Sequence, residues 1–424
     1  MSPVRTYRGR LLHVTSTSPL AWDYLPDAVL RVTDGVVEAL GDAASLAAEG
    51  LDISSCEVID GLMVPGFIDT HVHSPQIDVI GSYGEQLLDW LQKYTFPAEE
   101  RFADEGYAAA AAEDFLDGLM AAGTTTAMVF ATSHLGATDA LFEAAHRRNL
   151  RLVAGKVLMD QNATPGLQDS AEGGIADSET LIRKWHGRGR LGYAITPRFA
   201  GSSSDRQLKL AGELHQRYPD TWIQTHLSEN RDEISWIAQV HPGFRDYLDV
   251  YEQHGLLNDR TFFGHGIHLS ASELARLAAA GGRIAFCPTS NLFLGSGLLD
   301  LAERKAAGVT VSLATDVGAG TSLSMLRTMG DAYKVCQLQQ YSLGAMEALA
   351  MSTLGNAQAM QLEHCIGNLL PGRDADFAVL SPGDNPITRR RVEQARNIEE
   401  EMFIYMTLGD EQCVSSTYVA GEKF

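Results

Sequence analysis

Two histidines one residue apart end the run Val64-Pro65-Gly66-Phe67-Ile68-Asp69-Thr70-His71-Val72-His73. In an extended strand the side-chain period is two, so His71 and His73 point to the same face. Two imidazoles held in that way can grip one metal ion, each ring nitrogen about 2.0–2.1 Å from a zinc. A lone His-x-His is more often a surface accident than a site, so the rest of the chain must supply further ligands. Such ligands would have to stand on elements that bring distant parts of the sequence to one point.

Those elements are legible in the hydrophobic pattern. Strand candidates lie at 66–73, 124–131, 151–159, 191–199, 222–229, 261–268, 283–289 and 310–317, with helical patterns such as 139–148, 204–218, 270–280 and 324–337 between them. This alternation predicts an α/β protein with a parallel sheet, and the strand count is the one that closes a (β/α)8 TIM-type barrel. An open, doubly wound sheet is the rival. Gly187, Gly189 and Gly192 match a dinucleotide fingerprint, but they precede a strand instead of following one, so the match is spurious. Both chain ends have another texture. Leu11–Val14, Ala28–Thr33, Val36–Leu40, Asp376–Leu380 and Ser416–Ala420 read as strands, with a hairpin signal at Asp34-Gly35. Residues 1–64 and 365–424 are therefore expected to form one small β-sandwich domain around a catalytic barrel spanning 65–364.

In a barrel of this kind the active site gathers at the C-terminal ends of the strands. The strand ends here carry His71 and His73, then Thr196-Pro197-Arg198-Phe199, Thr225-His226-Leu227-Ser228-Glu229, Gly264-His265 and Thr315-Asp316. Any one of these has an ordinary structural explanation, but their joint placement does not. A mononuclear site assembles from His71, His73, His226 and Asp316, and three imidazoles with a carboxylate suit zinc or iron(II). The fourth strand end has no lysine that would bridge a second metal. An aromatic-rich excursion, from Gly81 to Glu99, follows the first strand and includes Trp90; a binding surface or lid and simple packing are equally consistent with it.

Composition narrows the partners. The 424 residues carry 33 Lys plus Arg against 54 Asp plus Glu, a formal charge of −21. That balance repels phosphate backbones and anionic membranes, so neither nucleic acid nor membrane is expected as a partner. The five cysteines are scattered without a Cys-x-x-Cys pair, which predicts neither a disulfide framework nor a thiolate metal site. No signal-peptide pattern or apolar run of membrane-spanning length is present, and the cytoplasm is the default expectation.

The motifs together carry a resemblance. His71-x-His73, His226 with Glu229 three residues on, His265 and Asp316 resemble the amidohydrolase superfamily in its mononuclear deaminase branch. Within it, Pro65–Gln76, Tyr83–Leu91, Tyr94–Glu99, Thr196–Phe199, Thr225–Asn230, Cys287–Leu292 and Thr315–Thr321 are similar to the enzymes that deaminate guanine. The similarity covers nearly the whole chain and is weakest over 1–60 and 381–400. It implies hydrolysis of a small purine base, guanine to xanthine and ammonia, with one zinc (or iron(II)) per subunit and a homodimeric state. Catalytic roles fall to Glu229 as proton shuttle, Asp316 as proton acceptor and His265 as orienter of the attacking water. Gln76, Arg198, Phe199, Trp90 and Glu229 would contact the base, Arg198 through O6. A related heterocycle such as 8-oxoguanine or a pterin is the alternative substrate, and a non-catalytic scaffold the alternative class. Cytidine-deaminase-type chemistry is disfavoured, because no His-x-Glu with Pro-Cys-x-x-Cys occurs.

Overall fold

In the computed structural model, which describes residues 4–424, the expected barrel strands are Phe67–His73, Thr124–Phe130, Arg151–Gly155, Leu191–Pro197, Trp222–Leu227, Thr261–His265, Arg283–Phe286 and Thr310–Leu313. They pair in parallel and in chain order, and the two-residue strand Val157–Leu158 adds to the fourth. The first, second and fourth are buried at every position, because helices cover the outer face and opposing strands fill the inner one. The first strand ends at His73 as expected, whereas the other seven stop short of their expected C-terminal limits. The residues beyond the strand ends leave the ladder to point side chains over the barrel mouth. Side-chain caps start the intervening helices: Ser204 accepts from Gln207 N, and Asn230 and Ser270 form capping boxes with Glu233 and Glu273.

The barrel closes differently from the way it propagates. No strand ladder joins the first strand to the eighth. Side chains bridge the gap at its lower end. Asn356 Nδ2 donates to Ile68 O (2.7 Å) and Leu313 O (2.8 Å), while its Oδ1 accepts from Leu313 N at 3.0 Å. Higher up, Thr70 Oγ1 donates to Ser312 Oγ at 2.8 Å, and Asp69 accepts from the backbone and hydroxyl of Thr315. At the mouth the backbone takes over, with Asp316 N donating to His71 O (2.9 Å) and His73 N to Val317 O (2.8 Å).

The two chain ends share one seven-stranded mixed sheet, in the order Glu422–Lys423, Val414–Val419, Phe377–Leu380, Glu57–Pro65, Val4–Thr17, Leu20–Thr33, Val36–Asp42. Its inner face closes on a cluster separate from the barrel core, with Phe377 stacked on Tyr418 (4.2 Å between centroids) and Tyr7 set edge-on to both. The hairpin at Asp34-Gly35 is present, both residues having positive φ (53° and 79°) as the tight turn demands. Two features differ from expectation. Val4–Thr17 and Leu20–Thr33 form one hairpin of two 14-residue strands whose register shifts after Gly9 and Val14 break the alternation. The strand Glu57–Pro65, which sequence reading passed over, pairs with both Val4–Thr17 and Phe377–Leu380 and runs through Gly66 into the first barrel strand. A side chain at 66 would place its Cβ 2.1 Å from Thr125 Oγ1, so glycine is required there.

The C-terminal stretch also carries helices Pro386–Glu393 and Ile398–Leu408, and the second packs on the barrel helix Met325–Leu338 through Phe403 against Tyr333. All five cysteines are free. No described helix is long and apolar enough to cross a membrane. The seam yields the first prediction. Asn356→Ala strands buried backbone groups of Ile68 and Leu313, each costing about 1–3 kcal/mol. Urea unfolding of the variant should show a midpoint well below wild type, and an unchanged midpoint would show that the seam does not depend on this side chain.

Candidate active site

His71 and His73 rise from the first barrel strand, His226 from the fifth, and Asp316 follows the eighth. One ligand atom from each of the four lies within 4.8 Å of all the others. Nε2 of His71 and of His73 are both 3.2 Å from Asp316 Oδ1, and Nε2 of His226 is 3.3 Å from Nε2 of His73. Ligand atoms placed about 2.0–2.1 Å from one tetrahedral zinc stand roughly 3.3–3.4 Å apart, so the spacing fits a single cation. Both ring nitrogens of His71 and Nδ1 of His73 are buried without a hydrogen-bond partner. His226 Nδ1 sits 2.6 Å from Arg198 O, which fixes it as the donor and leaves the Nε2 lone pair facing the cluster. Gly264 makes room for the His71 ring, since a Cβ there would lie 2.6 Å from Cε1.

Charge favours the same reading. Burial pushes His73 down to about 4 against the pull of Asp316, and burial with the neighbouring histidines holds His226 well below its ordinary value. Both are neutral imidazoles at neutral pH, the form that binds metal. Burial alone would raise the Asp316 carboxyl, but the His71 and His73 rings 3.2 Å away outweigh it and hold the group well below its ordinary value, ionised. His265, Cys287 and Asp316 also converge. There, however, burial drives the Cys287 thiol well above its usual range, and a neutral thiol is a poor ligand.

Glu229 is the opposite of Asp316. Burial, followed by the Asp316 charge, pushes it up to about 8 despite the hydrogen bond from Ser296 Oγ at 2.8 Å. Its Oε2 lies 3.3 Å from His265 Nε2, which is in turn 3.7 Å from Asp316 Oδ2. Asn291 Oδ1 takes His265 Nδ1 at 2.8 Å, so that nitrogen carries the proton and Nε2 faces the two carboxyls. Ser228, His265 and Asp316 all have positive φ (48°, 70° and 52°). Non-glycine residues adopt such backbone rarely, and here it falls on residues around the cluster. Ser296 and Glu233 lie outside the sequence expectations, and Asn291 enters them only within the Cys287–Leu292 motif. Glu233 caps the helix after Asn230 through Glu229 N and Asn230 N, and the Asn230-x-x-Glu233 spacing is a signal that could have found it.

Above the cluster lies a pocket with both polar and apolar walls. It gathers every remaining expected residue: Gln76, Trp90, Arg198, Phe199, Glu229 and His265 all line it, with Leu87, Leu91 and Leu294. The excursion after the first strand is mostly helical (Leu87–Trp90, Leu91–Thr95, Phe96–Glu100), and it supplies Trp90 and the apolar wall. Phe199 also packs on Trp236, with 5.7 Å between centroids. Gln76 is less free than expected, since Nε2 donates to Glu99 Oε1 (2.8 Å) and Oε1 accepts from Gly318 N (3.2 Å). Arg198 Nη1 donates to Glu99 Oε1 (3.0 Å) and Oε2 (2.8 Å). Glu99 was visible in the sequence only as the last residue of a motif.

Comparison with known proteins agrees with this geometry. A family model described as the amidohydrolase family matches residues 62–423. A guanine deaminase of Escherichia coli is 45% identical over 99% of this chain and 97% of its own length. The solved structure of E. coli guanine deaminase superposes with a TM-score of 0.95 at 45% identity, covering 99% of each chain. A guanine deaminase from C. acetobutylicum, solved with guanine bound in its active site, gives a TM-score of 0.91 at 27% identity over the whole of both chains. The family model spans the seam, the ligand cluster and the pocket wall, and the chain therefore belongs to the amidohydrolase family.

Proposed function

We propose that this protein hydrolyses guanine to xanthine and ammonia at the mouth of the barrel, with one divalent metal, zinc in preference to iron(II), held by His71, His73, His226 and Asp316. The observation that carries the reading is the pair of buried carboxyls beside that cluster, Glu229 and Asp316, 3.3 and 3.7 Å from His265 Nε2, with burial raising the first and the neighbouring histidines lowering the second. Pairs driven apart in this way mark an acid and a base. Full-length similarity to E. coli guanine deaminase and to a relative solved with guanine supports the choice of substrate. The homodimeric state implied by the resemblance is part of the same reading.

A bound metal supplies activation of water at neutral pH, lowering the water's pKa to about 7 with zinc. This chain's residues do the rest. Asp316 accepts a proton from the attacking water, and His265 holds that water by hydrogen bonding from between the two carboxyls. Protonated Glu229 donates to the ring nitrogen beside C2, which makes the carbon a better electrophile. The water oxygen then bonds to C2, and as the bond from C2 to the exocyclic nitrogen breaks that nitrogen takes a second proton, either the one held by Asp316 or the hydroxyl proton relayed by Glu229. Ammonia leaves, C2 is left as a carbonyl, and the remaining proton restores protonated Glu229. Arg198 presents donors to O6, while Trp90 and Phe199 cover the base.

Incubating the purified protein with guanine, 8-oxoguanine, pterin, adenine and cytosine while following ammonia tests the substrate directly. Guanine should be turned over fastest, and preference for any other would replace it. Asp316→Asn should keep a wild-type circular dichroism spectrum and lose turnover; retained activity would remove Asp316 as proton acceptor. Glu229→Gln should lower kcat by roughly 10²–10⁴-fold with a much smaller change in KM. In the wild type the donor is lost as pH rises through the Glu229 value of about 8, so kcat/KM should fall above that pH. A pH profile flat to pH 10 would contradict the shuttle.

A further inference from the structure

The reaction as proposed gives Glu99 no task, yet it is wholly buried behind Gln76 and Arg198 of the pocket wall. It accepts three hydrogen bonds, one from Gln76 Nε2 at 2.8 Å and two from Arg198 Nη1 at 3.0 and 2.8 Å. Phe96, three residues earlier on the same short helix, lies under the guanidinium, whose carbon is 5.4 Å from the ring centroid. One face and one edge of Arg198 are thus clamped by a single helix. Its Nη2 and Nε make no hydrogen bond among the described residues, although the side chain is only 3% exposed and lines the pocket. Donors left unpaired at such a site favour a ligand that brings an acceptor.

We propose that Glu99 is the positioning residue that makes Arg198 selective for a purine carrying an oxygen at position 6. The inference rests on the guanine reading above. A guanidinium only donates, so an aimed Arg198 gains two bonds from a carbonyl oxygen and leaves an amino group at that position opposed by N–H. Aim is what the clamp supplies. A planar fork tied at Nη1 and stacked on Phe96 has one edge left, whereas a free arginine would lose side-chain entropy on every binding event. Glu99 also fixes Gln76. Glu99 can only accept and Gly318 N–H can only donate, so the Gln76 amide has one possible orientation. Glu99 makes no hydrogen bond to His71, His73, His226 or Asp316, so its loss should leave the metal cluster intact.

The test uses the metal-loaded full chain as wild type, Glu99→Gln, Arg198→Met and the double variant. Metal content and melting temperature are measured for each. Wild-type turnover of guanine comes first, since its absence would defeat the functional reading and not this one. Glu99→Gln should raise KM for guanine about tenfold or more and change kcat far less; the double variant should be no worse than Arg198→Met, because residues acting through one contact are not additive. Inhibition by hypoxanthine, which keeps the 6-oxygen, should weaken about tenfold in Glu99→Gln, with unsubstituted purine changed less than about twofold. Equal weakening of both inhibitors, or losses that multiply in the double variant, would overturn the proposal. Should Glu99→Gln not fold, Glu99→Asp keeps the charge but shortens its reach. The same bias between hypoxanthine and purine is then expected, and an unbiased loss overturns the proposal as well.

Discussion

The seam between the first and eighth barrel strands is the constraint on which the site depends. Seven of the eight interfaces in the barrel are ordinary parallel ladders; this one is held by Asn356, Thr70 and Asp69 below and by two backbone bonds at the mouth. Those two bonds involve His71 and Asp316 in one case and His73 and Val317 in the other. The barrel is therefore fastened at the residues whose side chains form the ligand cluster. A regular ladder would keep residue 316 in extended backbone. Leaving the ladder after Leu313 lets Asp316 take a positive φ and turn its carboxylate toward both histidines. Strain of about 1–3 kcal/mol at such a position persists only because its surroundings over-determine it, and Asp69 and Thr315 supply that scaffold.

Burial then does most of the electrostatic work. The same desolvation that keeps His73 and His226 neutral, and so fit to bind a cation, makes a charged Glu229 costly. Asp316 escapes only because two histidine rings stand 3.2 Å from its carboxylate. One physical term, applied to groups with different partners, produces neutral ligands, an ionised carboxylate and a protonated carboxyl within a few ångströms. Ser296 and Asn291 refine this result without creating it. The first donates to Glu229, and the second decides which nitrogen of His265 carries the proton.

The readability of each part follows from how local its cause is. Barrel strands are buried on both faces and bounded by turns, so their apolar runs are legible to within a few residues, although all but the first read too long at the C-terminal end. That error has a physical origin. The residues after Leu227, His265 and Leu313 are still apolar or polar in strand-like fashion, but they leave the sheet to face the pocket. Glu57–Pro65 was missed because Asp60 and Gly61 interrupt its pattern, and its partners lie about fifty residues before it and over three hundred after it in the chain. His71, His73, His226, His265, Asp316 and Glu229 are legible as candidates because they sit at strand ends, where a barrel of this kind gathers its site. Ser296 and Glu233 stand on a loop and on a helix cap, where their ordinary structural reading hides any other.

Glu99 shows what separates these two cases. Nothing in its local pattern distinguishes it from a helix-surface acid, and an acid at full burial is costly unless paired. Its partner, Arg198, is 99 residues away at the end of another strand. A buried arginine in turn needs a counter-charge, and the cluster below cannot provide one without competing for the metal. The excursion between the first two strands resolves both needs by carrying a carboxylate over the barrel mouth on a short helix. Its length and its aromatic content follow from that duty: the chain must rise from the first strand, cross the pocket behind Leu87, Trp90 and Leu91, and return with Phe96 and Glu99 set against the guanidinium. A shorter connection would close the barrel equally well and leave Arg198 without an aim.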